Sequence, residues 1–176
     1  MPLKPLDLMV GLSLTLRKEP VWTYAELGEQ LGLSASEANK AVERCLQAGL
    51  LSPGASEGAK PTPVRAALME FLAHGVRYAF SARPGRQVRG TPTAHSAPPL
   101  SDRIRAGDEP AYVWPDPEGT HRGQAIEPLY SSAPGAARRS PALHELLALT
   151  DAIRCGRSRE RALAIEELHK RLIESP

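Results

Sequence analysis

The distribution of proline constrains the fold of this chain more than any other feature of its sequence. The 176 residues include 17 prolines, and these cluster in the middle third. Proline lacks a backbone donor and disfavours the helical conformation of the residue before it, so the middle should be irregular or built from short strands. The sequence therefore predicts a mainly α fold with short β-hairpins, of the α+β class. Three regions follow: a helical domain at 1–62, a proline-rich middle with short strands at 63–135, and a C-terminal helical pair at 136–176.

Two consecutive capping boxes predict a pair of short helices in the first region. Thr23 stands three residues before Glu26, and Ser34 stands three residues before Glu37. In each pair the hydroxyl can accept from a free backbone amide at the start of the helix, while the carboxylate accepts from the backbone of the capping residue. Gly32 suits the left-handed position that ends the first helix. The second helix should turn an apolar stripe inward: Ala38, Val42, Cys45 and Leu46.

This pair of capped helices, within residues 24–42, resembles the helix-turn-helix of winged-helix transcription regulators, in particular the MarR-like branch. The resemblance covers about residues 5–65, roughly a third of the chain. It implies a winged-helix DNA-binding domain at 1–62, whose second helix, at 35–48, reads a half-site in the major groove.

The polar face of that second helix carries side chains suited to DNA. Asparagine can bind adenine through two hydrogen bonds, arginine can bind guanine or phosphate, and serine and lysine suit phosphate oxygens. Glu37 and Glu43 lie on or beside the same surface, so a solvated face in a protein-binding module is the alternative. On the DNA-binding interpretation, five residues are expected to contact double-stranded DNA: Ser34, Ser36, Asn39, Lys40 and Arg44.

The middle region offers a second basic feature. Segment 52–63, where winged helices have a hairpin, is rich in small residues and proline with Lys60 as its single cation, so we expect a loop there. Residues 76–80 and 87–90 are predicted to pair as strands around a turn at 83–86. Arginines on such a hairpin can enter a minor groove or hold phosphate, although a solvated turn is an equal alternative. The candidates are Arg83, Arg86 and Arg89.

The remainder of the middle region is predicted to be extended over 91–110, where proline excludes helix. A second pair of strands is expected at 112–120 and 122–129, with Tyr112 and Trp114 covering a small core.

Charge is distributed unevenly along the chain. The net charge is only +2, but residues 63–105 contain seven arginines against two acidic residues, whereas residues 1–62 are slightly acidic. Nucleic acid would therefore be bound by one face of the molecule rather than by its bulk charge. The weak charge of the first region favours an alternative function, in which the winged helix is the scaffold of a protein-interaction module such as an antitoxin or adaptor.

The sequence offers little support for enzymatic chemistry. The histidines show no HxxxH or HExxH spacing, and the chain has no glycine-rich phosphate loop and no GxSxG motif. Thr93-Ala94-His95-Ser96 is the most reactive-looking local group, and a structural histidine explains it better. Cys45 and Cys155 lack metal-ligand spacing and are interpreted as reduced, partly buried side chains. We therefore expect no enzyme activity, no cofactor and no metal.

The C-terminal region is predicted to form two helices. Ser140 and Pro141 fit an N-cap and the first helical position, Gly156 breaks the pattern, and Ser158 can cap the second helix. The pair contains more leucine than one small domain needs, which favours dimerisation; packing over the middle strands is the alternative. The chain lacks an apolar run of about 18 residues and a signal peptide, so we expect a cytoplasmic protein with no membrane contact.

These observations predict a cytoplasmic, dimeric, sequence-specific DNA-binding transcription regulator, acting as a repressor. The operator, the regulated genes and any effector lie beyond what the sequence indicates.

Overall fold

A computed structural model describes residues 1–105 and 107–174. The first helix, α1 (Pro5–Thr15), lies at the centre of the molecule, and every residue from Leu6 to Thr15 is buried. It is surrounded by three other helices, Ala35–Gln47, Arg65–His74 and Pro141–Cys155, and by the short strand Thr62–Pro63. A helix that is apolar around most of its circumference needs such surroundings, because it has no face suited to water.

Helices α2 (Tyr24–Leu31) and α3 (Ala35–Gln47) form where the capping boxes predict them. The Glu26 amide donates to Thr23 Oγ1 over 3.1 Å, and the Glu37 amide donates to Ser34 Oγ over 3.1 Å. Gly32 ends α2 in the left-handed conformation with φ 69°. Local capping chemistry therefore sets both the length of each helix and the turn between them.

A minimal hairpin follows α3, which corrects the expectation of a loop without strands. Strands β1 (Leu51–Ser52) and β2 (Thr62–Pro63) pair antiparallel, with Leu51 opposite Pro63 and Ser52 opposite Thr62. The residues between them have no regular structure. Lys60 lies over the ring of Tyr24, with Nζ 4.5 Å from the ring centroid, so the single cation of this hairpin contacts an aromatic ring of the same chain.

The predicted arginine hairpin at 76–90 does not form. Helix α4 (Arg65–His74) is followed at once by a short helix, α5 (Val76–Ala79), where a strand was expected. Val76 is completely buried, and Phe80 meets Phe71 edge to face with ring centroids 6.0 Å apart. A helical turn also buries Val76 and leaves Arg77 exposed. The alternation of apolar and polar residues that predicted a strand at 76–80 is therefore equally compatible with a helix.

Three short strands form a small sheet that closes on itself. Strand β3 (Gln87–Pro92) pairs antiparallel with both β4 (Tyr112–Pro115) and β5 (His121–Ala125). Strands β4 and β5 meet in parallel through Tyr112 opposite Gln124 and Val113 opposite Ala125. The prediction of strands in 112–120 and 122–129 is confirmed for their positions, but they do not pair as an antiparallel hairpin.

The segment predicted to be extended contains two short helical elements. A 3-10 turn covers Ala94–Ser96, and α6 covers Leu100–Arg103. Ala94 and Leu100 are buried in the main core, so tertiary packing overrides the tendency of the flanking prolines to keep this segment extended.

The C-terminal helices are α7 (Ala133–Arg139), α8 (Pro141–Cys155) and α9 (Ser158–His169), and α9 continues into a wider π-helical turn at Lys170–Glu174. The Leu143 amide donates to Ser140 Oγ over 3.2 Å, as an N-cap requires. Arg157, rather than Ser158, occupies the N-cap of α9. The leucines of α8 are buried inside the same chain, which removes the surplus of apolar surface that favoured dimerisation: Leu143, Leu146, Leu147 and Leu149.

One hydrophobic core joins all three predicted regions, since it contains Leu12 of α1, Trp114 of β4 and Leu147 of α8. The class is α+β, as predicted. None of the helices in the described part of the chain is long and apolar enough to cross a membrane.

Candidate nucleic-acid interface

The first two turns of α3 present most of the predicted DNA-binding side chains to solvent. Ser34, Ser36 and Lys40 are exposed, and Asn39 is half-buried. The Asn39 amide lies 3.5 Å from a carboxylate oxygen of Glu43, a long and weak hydrogen bond that leaves the amide open to another partner. Together these side chains form a mixed polar surface along one side of the helix.

Arg44 does not belong to this surface, which corrects its assignment as a DNA contact. Its side chain is 7 % exposed and its guanidinium binds both carboxylate oxygens of Asp7, at 2.7 to 3.0 Å. The hydrogen bonds that Arg44 donates to Asp7 raise the pKa of Arg44 above its ordinary value. Asp7 lies on the central helix α1 and is fully buried, so Arg44 ties α3 to the core instead of facing DNA.

A side chain from the distant end of the middle region reaches the start of α3. The Tyr130 hydroxyl donates to Glu37 over 2.9 Å, and Ser132 donates to the carbonyl of Leu31 over 2.6 Å. The Ser34 backbone and hydroxyl, followed by Tyr130, hold the pKa of Glu37 below its usual value. The same hydrogen bond raises the pKa of Tyr130. Glu37 is therefore a fixed anion engaged by its own cap and by Tyr130.

The three candidate DNA-binding arginines of the middle region are exposed, although not on the predicted hairpin. Arg83 and Arg86 lie in the segment before β3, and Arg89 lies on β3 itself. The register of the sheet places Arg122 of β5 directly opposite Arg89. None of these four arginines forms an ion pair with any residue in the ranges the structure describes.

Arg122 was missed by the sequence analysis, and its position matters for the electrostatics of the sheet. Like charges directly opposite each other on neighbouring strands repel and destabilise the pair. An arrangement of this kind is compensated when an anion, such as a phosphate, lies between the two guanidinium groups. The signal that could have identified Arg122 is the strand register, and that depends on the sheet as a whole.

The arginine surface and α3 are connected by a short stretch of chain. The Ala125 amide donates to the carbonyl of Arg86, and Tyr130, five residues later, contacts α3 through Glu37. Five residues span at most about 18 Å even when fully extended. The end of β5, which contacts Arg86, therefore lies within about 18 Å along the chain of the residue that contacts the start of α3.

The two cysteines and His95 lie in buried or partly buried surroundings. Burial raises the pKa of Cys45 and of Cys155 to about 12, so neither thiol is an activated nucleophile. His95 meets Tyr112 edge to face, and its buried Nδ1 has no hydrogen-bond partner among the described residues. Within the same ranges, no three His, Cys, Asp or Glu residues gather closely enough to hold a metal ion.

Comparison with known proteins finds no matching family model, no matching curated protein and no matching solved structure.

Proposed function

We propose that the protein is a cytoplasmic, sequence-specific DNA-binding transcription regulator that acts as a dimeric repressor. The observation that carries the proposal is the pair of helices α2 and α3, each with its own N-terminal capping box. The polar side chains in the first two turns of α3 face solvent. A helix with exposed polar residues at its N-terminal end fits the major groove, where those residues reach base edges. The winged-helix resemblance, including the short β1–β2 hairpin, belongs to this proposal.

In the proposed complex, α3 supplies sequence recognition. Asn39 would bind adenine through its amide, exchanging the weak contact with Glu43 for two good hydrogen bonds. Ser34, Ser36 and Lys40 would bind phosphate oxygens beside the groove. Arg44 has no direct role there, because it holds α3 on Asp7.

The sheet would supply backbone affinity. Four arginines without an ion pair among the described residues lie on or next to β3 and β5, and their binding to phosphates would release counterions from the duplex. The affinity from these phosphate contacts depends steeply on salt and little on base sequence. The Asn39 contact, in contrast, depends on base sequence and little on salt. The arginines concerned are Arg83, Arg86, Arg89 and Arg122.

The dimeric state remains part of the proposal without an assigned interface. Two copies would place two α3 helices on half-sites about 34 Å apart, one helical turn of DNA. Helix α8 is buried within its own chain, so the surface between the copies has to be another one. Light scattering of the protein alone and of its DNA complex measures the stoichiometry.

The decisive experiment is fluorescence anisotropy with labelled duplexes from the DNA upstream of the protein's own gene, titrated with salt. We expect tight binding that weakens steeply with salt. Asn39→Ala should abolish the preference for the specific duplex over scrambled DNA, while Gln47→Ala, at the far end of the same exposed helix, should leave it unchanged. Equal affinity for both duplexes in the unmodified protein would disprove sequence-specific recognition.

One observation favours a second function, binding of a protein partner. Glu37 and Glu43 place two carboxylates on the face that would meet the DNA backbone, and like charges repel there. A protein partner with a basic surface would accept them. Absence of DNA binding at micromolar protein and low salt, together with a stoichiometric complex in a pull-down, would favour this function.

A further inference from the structure

A wide cleft lies on the molecule away from the residues proposed to bind DNA. It has a volume of about 800 Å³ and is bounded by the end of α1, the start of α4, the start of α8 and the C-terminal π-helical turn. Its apolar lining comes from the end of α1, from α8 and from the C-terminal turn: Leu16, Ala142, Leu146 and Leu172. A cleft of this size accommodates a small organic molecule.

The charged residues around this cleft are mostly cationic. Five are positive and one, Glu145, is negative. Lys170 and Arg171 are already paired with carboxylates, because Lys170 binds Glu166 over 2.8 Å and Arg171 binds Glu145 over 3.0 Å. The other three cations, Arg17, Lys18 and Arg65, form no ion pair within the described residues.

The hydrogen bonds of these three cations leave donors for a ligand. Arg17 donates from one terminal nitrogen to Gln30 Oε1 over 2.7 Å, and its buried Nε has no partner among the residues that the structure describes. Arg65 donates from one terminal nitrogen to the carbonyl of Thr15 over 2.7 Å and from the other to the carbonyl of Leu172 over 3.4 Å, which fixes its guanidinium between the end of α1 and the C-terminal turn. Lys18 is exposed. A guanidinium has five donors, so both arginines keep capacity to bind another acceptor.

Two helix ends of opposite polarity border the cleft. The C-terminal end of α1 carries a partial negative charge, and Arg65 donates to its Thr15 carbonyl. Ala142 is the second residue of α8, and the N-terminal end of a helix carries a partial positive charge. Glu19, the acidic residue next to Lys18, lines an adjoining groove with Trp22 and Pro61, and Arg17 and Lys18 border that groove as well. The cleft itself combines a cationic rim with an apolar floor, and Glu145 is the acidic residue in its lining.

We propose that this cleft binds a small organic phosphate monoester, with the phosphate on Arg17, Lys18 and Arg65 and the organic group on the leucine floor. A phosphate monoester carries between about 1.5 and 2 negative charges near neutral pH, which matches three unpaired cations better than a single carboxylate does. Arginine binds such groups through paired hydrogen bonds. The assignment is independent of the proposed DNA-binding function, since it involves none of the residues of α3 or the sheet.

Phenyl phosphate tests this assignment by isothermal titration calorimetry at low salt, with no nucleic acid present. We expect saturable binding of one molecule per chain, at least about tenfold tighter than inorganic phosphate, because the ring contacts the apolar floor. Benzyl alcohol, which has the ring without the charge, should not bind measurably. Equal affinities for phenyl phosphate and inorganic phosphate would overturn the organic part of the assignment.

Two variants locate the site. Arg17→Gln and Lys18→Gln should each weaken phenyl phosphate about tenfold or more, as expected for the loss of a hydrogen bond to a charged group. Arg159→Gln, on an exposed arginine of α9 outside the cleft, should have no effect. Thermal unfolding of the free variants checks that they fold. Absence of saturable binding at millimolar phenyl phosphate, or equal affinity in all three variants, would refute the proposal.

Discussion

Arg44 shows how one residue can change its role between sequence and structure. It lies on the predicted polar face of α3, yet its guanidinium is bound by Asp7, which precedes it by 37 residues. A buried carboxylate needs such a partner, because an isolated charge in the core is strongly unfavourable. The helical pattern around Arg44 holds no information about Asp7, so local periodicity could not distinguish a DNA contact from a buried ion pair.

The ion pair leads to the first prediction. Arg44→Ala should reduce the free energy of unfolding by about 3–5 kcal/mol, because Asp7 is then left buried without its partner. Replacing both residues with apolar ones, Asp7→Leu and Arg44→Met, should recover part of that loss. The recovery is partial because the change also removes the hydrogen bond that the Lys4 amide donates to Asp7 at the start of α1. Urea unfolding followed by circular dichroism measures both effects. A loss below about 1 kcal/mol in Arg44→Ala would show that the pair is dispensable for stability.

At the scale of elements, capping signals were the most informative part of the sequence. Thr23, Ser34 and Ser140 each occupy the predicted N-cap, since capping is decided within four residues. The partners of the strands were not predictable in the same way. Gln87 to Pro92 pairs with two strands that lie about 25 and 35 residues further along, and the turn signal at 83–86 suggested a nearer partner instead. The strand register also places Arg122 opposite Arg89. Because the register was not predictable from the sequence, Arg122 was not among the predicted site residues.

Gly90 carries the second prediction, because it is the point where β3 changes from one neighbour to the other. It lies opposite Pro115 of β4 and opposite His121 of β5, and a Cβ there would clash with the carbonyl oxygen of Trp114. Gly90→Ala should therefore lower the free energy of unfolding by about 3 kcal/mol. Gly107→Ala, where a Cβ has open space, should change it by less than about 0.5 kcal/mol. Similar effects of the two substitutions on the urea midpoint would contradict the close approach.

The third prediction concerns Arg122 and separates stability from binding. Arg122→Gln removes the repulsion from Arg89, so the free protein should become more stable by up to about 1 kcal/mol. If the sheet binds phosphate, the same change should weaken DNA binding and reduce the slope of log affinity against log salt by about one unit. Arg159→Gln is the matched control for both measurements. A variant that gains stability and keeps its full salt slope would remove Arg122 from the interface.

At the scale of the whole molecule, regions far apart in sequence are joined by buried polar contacts as well as by the apolar core. Asp151 of α8 accepts hydrogen bonds from Thr93, from Trp114 of β4 and from Arg154. Arg154 in turn donates to the carbonyls of Phe80 and Glu127. These contacts hold the sheet and the middle region against α8. Most of the surface of α8 is therefore buried by other parts of the same chain.

Asp116 provides the fourth prediction, on stability against pH. Burial acts to raise the pKa of Asp116, but hydrogen bonds from Thr91, the Glu118 amide and Arg138 outweigh it and lower the pKa below its usual value. A carboxyl with a lowered pKa stabilises the fold above the pKa of the unfolded chain, about 3.9, and this contribution is lost as the pH falls through the folded value. Asp116→Asn should therefore be less stable by about 1–2 kcal/mol at pH 7. Its difference from the unmodified protein should shrink below about pH 4. Urea unfolding at pH 7, 4 and 3 tests this, and a constant difference across that range would contradict it.

The two cysteines make the packing of the whole molecule measurable. Cys45 is completely buried between α3 and α1, its thiol donates to the Asp7 carbonyl, and burial raises its pKa to about 12. At pH 8 only about one thiol in ten thousand would be ionised even if reagent could reach it. In a Cys155→Ser variant, Cys45 should therefore react with a thiol reagent only as fast as the molecule opens, and at once in urea.

Adding Arg44→Ala should accelerate the native reaction about a hundredfold or more, since that change lowers the free energy of opening by about 3 kcal/mol or more. Rapid labelling of Cys45 in the Cys155→Ser protein would show that α3 separates from α1 without global unfolding. The face proposed to bind DNA would then belong to a mobile helix.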